Sequence, residues 1–96
     1  MKQVSIQTKL SVTFLREGKR FVAYSPVLDL STSGKNFAEA KKRFEEIVEI
    51  FFEEIAEKGT AQEVLENLGW EKSEKSWLPP TVIAHELQAV RVPAVA

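Results

Sequence analysis

Along the first third of the chain apolar and polar residues alternate; beyond it they follow a helical period. From Val4 to Phe14 the apolar or β-favouring residues fall on even positions, Val4, Ile6, Thr8, Leu10, Val12 and Phe14, and Ser5, Gln7, Lys9, Ser11 and Thr13 take the odd ones. A period of two predicts a strand with one buried face. Arg16-Glu17-Gly18-Lys19 ends it, with a glycine suited to the positive φ of a tight reversal, so a hairpin is expected. Arg20 to Ser25 predicts the second strand, with Val22 and Tyr24 on one face and Phe21 and Ala23 on the other, until Pro26 removes a ladder donor. Leu28 to Ser33 predicts a short third strand.

Gly34-Lys35 breaks the extended pattern, and Asn36-Phe37-Ala38-Glu39 has the form of a capping box. A long helix is predicted from there to Gly59. Phe37, Ala40, Phe44, Ile47, Val48, Phe51, Phe52 and Ile55 form one stripe at helical spacing, suited to covering a face of the sheet. Thr60 and Glu63 repeat the capping pattern for a shorter helix bearing Val64, Leu65 and Leu68, with Gly69 at the C-terminal cap. The segment from Trp70 to Trp77 reads either as a small hairpin or as an exposed loop anchored by two aromatics. After Pro79-Pro80, Thr81 to Val92 predicts a last strand. Its apolar residues follow odd positions first (Ile83, Leu87) and even ones later (Val90, Val92), a phase change that suggests a bulge or a strand crossing to another sheet or subunit. Val90 and Val92 are accordingly the candidate oligomer contacts, since an unpaired edge invites a second chain.

Ninety-six residues suffice for one hydrophobic core and not two, so residues 1–96 are expected to be a single α+β domain. The net charge of -1 removes any broad attraction to phosphates, so nucleic-acid binding would need a local basic patch. Without cysteine there is no disulfide framework, thiolate nucleophile or Cys-rich zinc site, and a reducing cytoplasm fits. Polar residues interrupt the amino terminus too often for a signal peptide, and no apolar run approaches the roughly 20 residues that span a bilayer. No membrane association is expected.

Groups suited to catalysis are few: one histidine, His85, and one aspartate, Asp29. His85 has no nearby acid or serine in the sequence and reads as a surface or interface residue; Asp29 follows a proline turn and reads as a turn residue. Glu39, Glu46, Glu49, Glu53 and Glu57 cluster opposite the apolar stripe of the long helix. Carboxylates so placed could hold a divalent cation. The same helix carries Lys42, Arg43 and Lys58, however, with Glu39–Arg43 and Glu54–Lys58 in the favourable i, i+4 order, which fits a solvated or protein-docking face better. Ile50 projects among these charges as a possible interface anchor. Glu46, Glu49, Ile50 and Glu53 are therefore the candidate partner-binding residues; no metal, cofactor or catalytic residue is expected. The basic residues are scattered, no recognition helix accompanies the Arg16/Lys19/Arg20 turn, the two tryptophans read as packing aromatics, and there is no glycine-rich phosphate loop.

The run Gly18-Lys19-Arg20-Phe21-Val22-Ala23-Tyr24-Ser25-Pro26-Val27-Leu28-Asp29, followed by Gly34-Lys35-Asn36-Phe37-Ala38-Glu39-Ala40 at the opening of an amphipathic helix, resembles the core of HicB-type antitoxins of toxin-antitoxin systems. The likeness covers about Val4 to Lys58, with a weaker trace through Leu68-Gly69-Trp70. It implies a degenerate ribonuclease-H-like β-β-β-α-β core, self-association, and masking of a small HicA-type RNA-cleaving toxin. An active ribonuclease H site would need acidic residues on the first strand, and Val4 to Phe14 contains none, so no nuclease activity is carried over. Many such antitoxins continue into a helix-turn-helix or ribbon-helix-helix segment; no helices follow Val90-Arg91-Val92-Pro93 in this sequence, so operator-DNA binding is not expected. The expected function is an antitoxin-like, protein-binding one. The alternative is a stand-alone homo-oligomeric interaction or small-ligand-binding domain of the same fold.

Overall fold

The computed structural model describes residues 8–94. Strands β1 (Thr13–Glu17) and β2 (Arg20–Ser25) form an antiparallel hairpin, with Glu17 opposite Arg20 across the two-residue turn Gly18-Lys19. Gly18 has φ 59° and Lys19 does not share the positive angle, the pattern of a type II′ turn that matches strand twist. β3 (Leu30–Gly34) pairs antiparallel with the other side of β2, giving the order β1-β2-β3. Between β2 and β3 the turn Pro26–Asp29 folds Val27 and Leu28 inward, with Asp29 in the left-handed region at φ 51°. A short polar side chain tolerates that region better than most, which gives Asp29 its role as a turn residue.

The first strand is shorter than its alternation suggests. Val4 and Ile6 lie outside the described residues, and residues 8–12 are not in a strand. Thr13 is opposite Tyr24, so residues before Thr13 would have to face Ser25 and then Pro26, where the chain turns away and the N–H is missing. The expected third strand also shifts, from Leu28 to Leu30, because Val27 and Leu28 are spent on the turn.

Helix α1 (Phe37–Glu57) lies across one face of this sheet. Its start follows from Asn36, whose Oδ1 accepts the Glu39 N–H at 2.8 Å. Glu39 reaches back one residue further than a capping box requires, accepting the Lys35 N–H at 3.1 Å. Alternation in the sheet turns Phe14, Phe21, Ala23 and Leu30 toward the helix, where they pack with Ala40, Phe44, Ile47 and Val48. Phe37 overhangs the edge of that contact: it is 49% exposed, with its ring 4.6 Å from that of Phe14.

A second cluster joins Val27, Leu28 and Ile55 to Leu65 and Trp70, and Leu30 and Val48 pack against both clusters, so they make one continuous core. Helix α2 (Ala61–Asn67) supplies Leu65. Its expected capping box does not form: Thr60 makes no side-chain cap bond. Both helices instead end alike, with Gly59 and Gly69 at positive φ and the next N–H turned back onto Ile55 and Leu65 carbonyls, closing a Schellman motif each time. The second of these aims Trp70 inward, where its Nε1 donates to the Val27 carbonyl at 2.7 Å. Of the two readings of Trp70 to Trp77, the hairpin is present: β4 (Glu71–Lys72) pairs with β5 (Trp77–Leu78).

Beyond β5 the expected last strand is not there. Residues 79–94 are extended past the body without secondary structure, and every residue of 80–94 is exposed. A single strand cannot satisfy its own backbone groups, and among the described residues no segment pairs with this arm. The molecule measures 59 × 28 × 22 Å as a result. The three-stranded sheet thus has no closing strand among the described residues, and the architecture is α+β: a three-stranded antiparallel sheet, a long helix, a short helix and a two-stranded hairpin.

Candidate functional site

The outward face of α1 is set by the stripe beneath it. With Ala40, Phe44 and Ile55 buried against the sheet and α2, residues half a turn away must face solvent. Glu46, Glu49 and Glu53 are all exposed there, and Ile50 among them is 54% exposed. The structure therefore brings the four sequence-selected residues onto one face of one rigid element. Glu39 and Arg43 form an ion pair at 3.3 Å, and Arg43 also donates from Nη1 to the Ser33 carbonyl at 3.2 Å, tying the start of the helix to β3. The Glu54–Lys58 pair expected from spacing is not within ion-pair distance. Among the described residues no group of three or more His, Asp or Glu side chains is placed to hold a metal ion.

The other candidates are dispersed. His85 stands on the exposed arm, and Val90 and Val92 on the same arm are 71% and 78% exposed. Asp29 receives the Tyr24 hydroxyl at 3.4 Å on the surface. Arg20 is engaged with Ser33 Oγ at 3.0 Å across the sheet. Trp70 is buried; Trp77 is half-buried, with the Lys72 ammonium 6.0 Å from its ring centre. A surface depression at the start of α1, lined by Ala38, Glu39, Lys42, Arg43 and Glu46, is too open to enclose a small molecule.

One surface escaped the sequence reading. The sheet face away from α1 carries Thr13, Leu15, Val22 and Tyr24, and Leu15 is 47% exposed. Its signal was the interrupted alternation at Leu15, an apolar residue on the odd-numbered, polar side of the first strand.

No family model, curated protein or solved structure matches this chain. No helix among the described residues is long and apolar enough to cross a membrane.

Proposed function

We propose that this chain is an antitoxin-like protein-binding module, of the HicB type that its sequence resembles, which neutralises a small basic RNA-cleaving toxin by covering its active surface. The observation that carries the reading is the outer face of α1, where Glu46, Glu49 and Glu53 surround an exposed Ile50 on a helix held down along its length. An acidic face on a rigid element steers a basic partner by complementary charge, and an apolar side chain at its centre supplies a desolvated contact. The reading assigns the module a cytoplasmic setting, in keeping with a chain without cysteine, and no catalytic step. A second reading, a stand-alone homo-oligomeric domain without a toxin, draws its support from the exposed apolar residues of the arm.

The test is titration of the full chain and the triple variant Glu46→Lys, Glu49→Lys, Glu53→Lys against the product of the adjacent gene at two salt concentrations. Reversal should slow association at least tenfold at low salt and flatten its salt dependence, since steered association loses rate when the field is inverted. Circular dichroism should find the fold intact, because all three positions are exposed. Equal association rates for both proteins would remove α1 as the docking face.

A further inference from the structure

The arm of residues 79–94 exposes Ile83 (95%), Leu87, Val90 and Val92 to water, although aliphatic side chains at two-residue and four-residue spacing are what a paired strand buries. The sheet in turn has a free edge among the described residues: β1 pairs with β2 on one side only. The two complement each other in detail. Set antiparallel with Leu87 opposite Leu15, the arm places Val90 opposite Val12, Val92 opposite Leu10, Glu86 opposite Arg16 and His85 opposite Glu17. Directly opposed residues share a face of the sheet. Val90 and Val92 therefore come down on the helix side beside Val12 and Leu10, which already pack against the two core clusters, and Leu87 comes down on the open side beside Leu15. The change of apolar phase along the arm is then simply the two faces of one strand, without a bulge. Prolines 79, 80 and 93 fall at the ends of the paired stretch, leaving every donor between them intact.

We propose that the arm of one chain adds as a strand to the β1 edge of a second copy, reciprocally, making a two-fold dimer joined by exchanged arms. Its own β1 is not available to the arm in this register. The root of the arm lies by the start of the first strand, where Leu78, Pro79, Pro80, Thr81 and Val82 line a shallow depression together with Lys9 and Ser11. To bring Glu86 to Arg16 and then Val92 back to Leu10, residues 80–85 would have to run out along the same lane beside β1 that residues 86–92 must occupy on return. An arm arriving from a second copy enters at the Glu17 end of β1 and needs no such reversal, and a two-fold axis gives both arms the same seat and closes the assembly. The extent is also right: about 16 arm residues, with the edge that receives the partner's arm, come to the roughly 20–30 residues a side of a stable interface. Docking would also pair Leu10 to Val12, the stretch that β2 leaves unpaired, and so complete the first strand toward the length its alternation suggests.

The charges make the register testable. Sedimentation velocity on the full chain across the micromolar range should show a dimer. Arg16→Glu and Glu86→Arg should each raise its dissociation constant by about 10- to 100-fold, since each sets like charges opposite one another in both copies of the contact. Mixing equal amounts of the two variants should restore dimers of near wild-type affinity, because in the mixed pair each arm again meets the opposite charge. Arg16 and Glu86 are both exposed, so the variants should keep the wild-type circular dichroism spectrum. Leu87→Glu supplies a second disruption at the open face. A chain that stays monomeric, single variants that dimerise like wild type, or a mixture no tighter than its components would each overturn the proposal. The measurement contains no toxin, so its failure leaves the reading of the α1 face untouched.

Discussion

Gly34 ends β3 where the chain turns into α1, and the strand and helix approach so closely that a single methyl group is the perturbation of choice. A Cβ at this position would lie 2.6 Å from the Ala40 amide nitrogen and 3.0 Å from both the carbonyl carbon and Cβ of Glu39. Ordinary van der Waals contact begins at 3.4 Å, so the first turn of the helix would have to withdraw by about 0.8 Å. The obstacle is backbone and cannot rotate aside. That first turn carries the Asn36 cap and, one residue on, the fully buried Ala40, so displacement loosens both. Overpacking of this kind costs about 1–3 kcal/mol. The lower entropy of an unfolded chain with alanine in place of glycine returns about 0.4–1 kcal/mol. At the middle of those ranges Gly34→Ala should therefore destabilise by about 1.3 kcal/mol net, and at most by about 2.6 kcal/mol. In a domain of this size the middle value lowers the melting temperature by about 5–10 °C, at roughly 4–8 °C per kcal/mol. Thermal unfolding followed by far-ultraviolet circular dichroism reads this directly. An unchanged or higher Tm would show that the strand-helix junction yields freely and would refute the reasoning.

Two further substitutions probe the core, alongside the α1 charge reversal and the arm exchange described above. Trp70→Phe keeps most of the ring packing and removes the 2.7 Å bond to the Val27 carbonyl, leaving that buried acceptor unpaired; chemical denaturation should find a loss of about 1–3 kcal/mol, and a loss below a few tenths would mean the bond contributes nothing net. Ser25 is fully buried, and its Oγ has no hydrogen-bond partner among the described residues. Ser25→Ala should then leave stability unchanged or raise it by up to about 1 kcal/mol, and a clear destabilisation in the same assay would reveal a partner for the hydroxyl.

The parts of this fold that sequence alone determined are those built from neighbours in the chain. Asn36 caps α1 because its side chain reaches an amide three residues away. Gly18 turns the hairpin, the helical stripe from Ala40 to Ile55 finds the core, and the acidic residues opposite it surface together, all by local geometry. Glu46, Glu49, Ile50 and Glu53 could be grouped from spacing alone because a helix fixes azimuth by residue number. Tertiary structure decided whatever depends on a distant partner. Alternation shows which side chains of a strand would share a face, but not whether another strand lies alongside. Residues 8–12 of the first expected strand and Thr81 to Val92 of the last form none, the first because β2 turns away at Pro26 and the second because no described segment pairs with it. The same dependence put Val27 and Leu28 in the core from within a turn, where Trp70, far along the sequence, holds the Val27 carbonyl. Backbone groups in a strand are satisfied only by another segment, and which segment is a property of the whole fold.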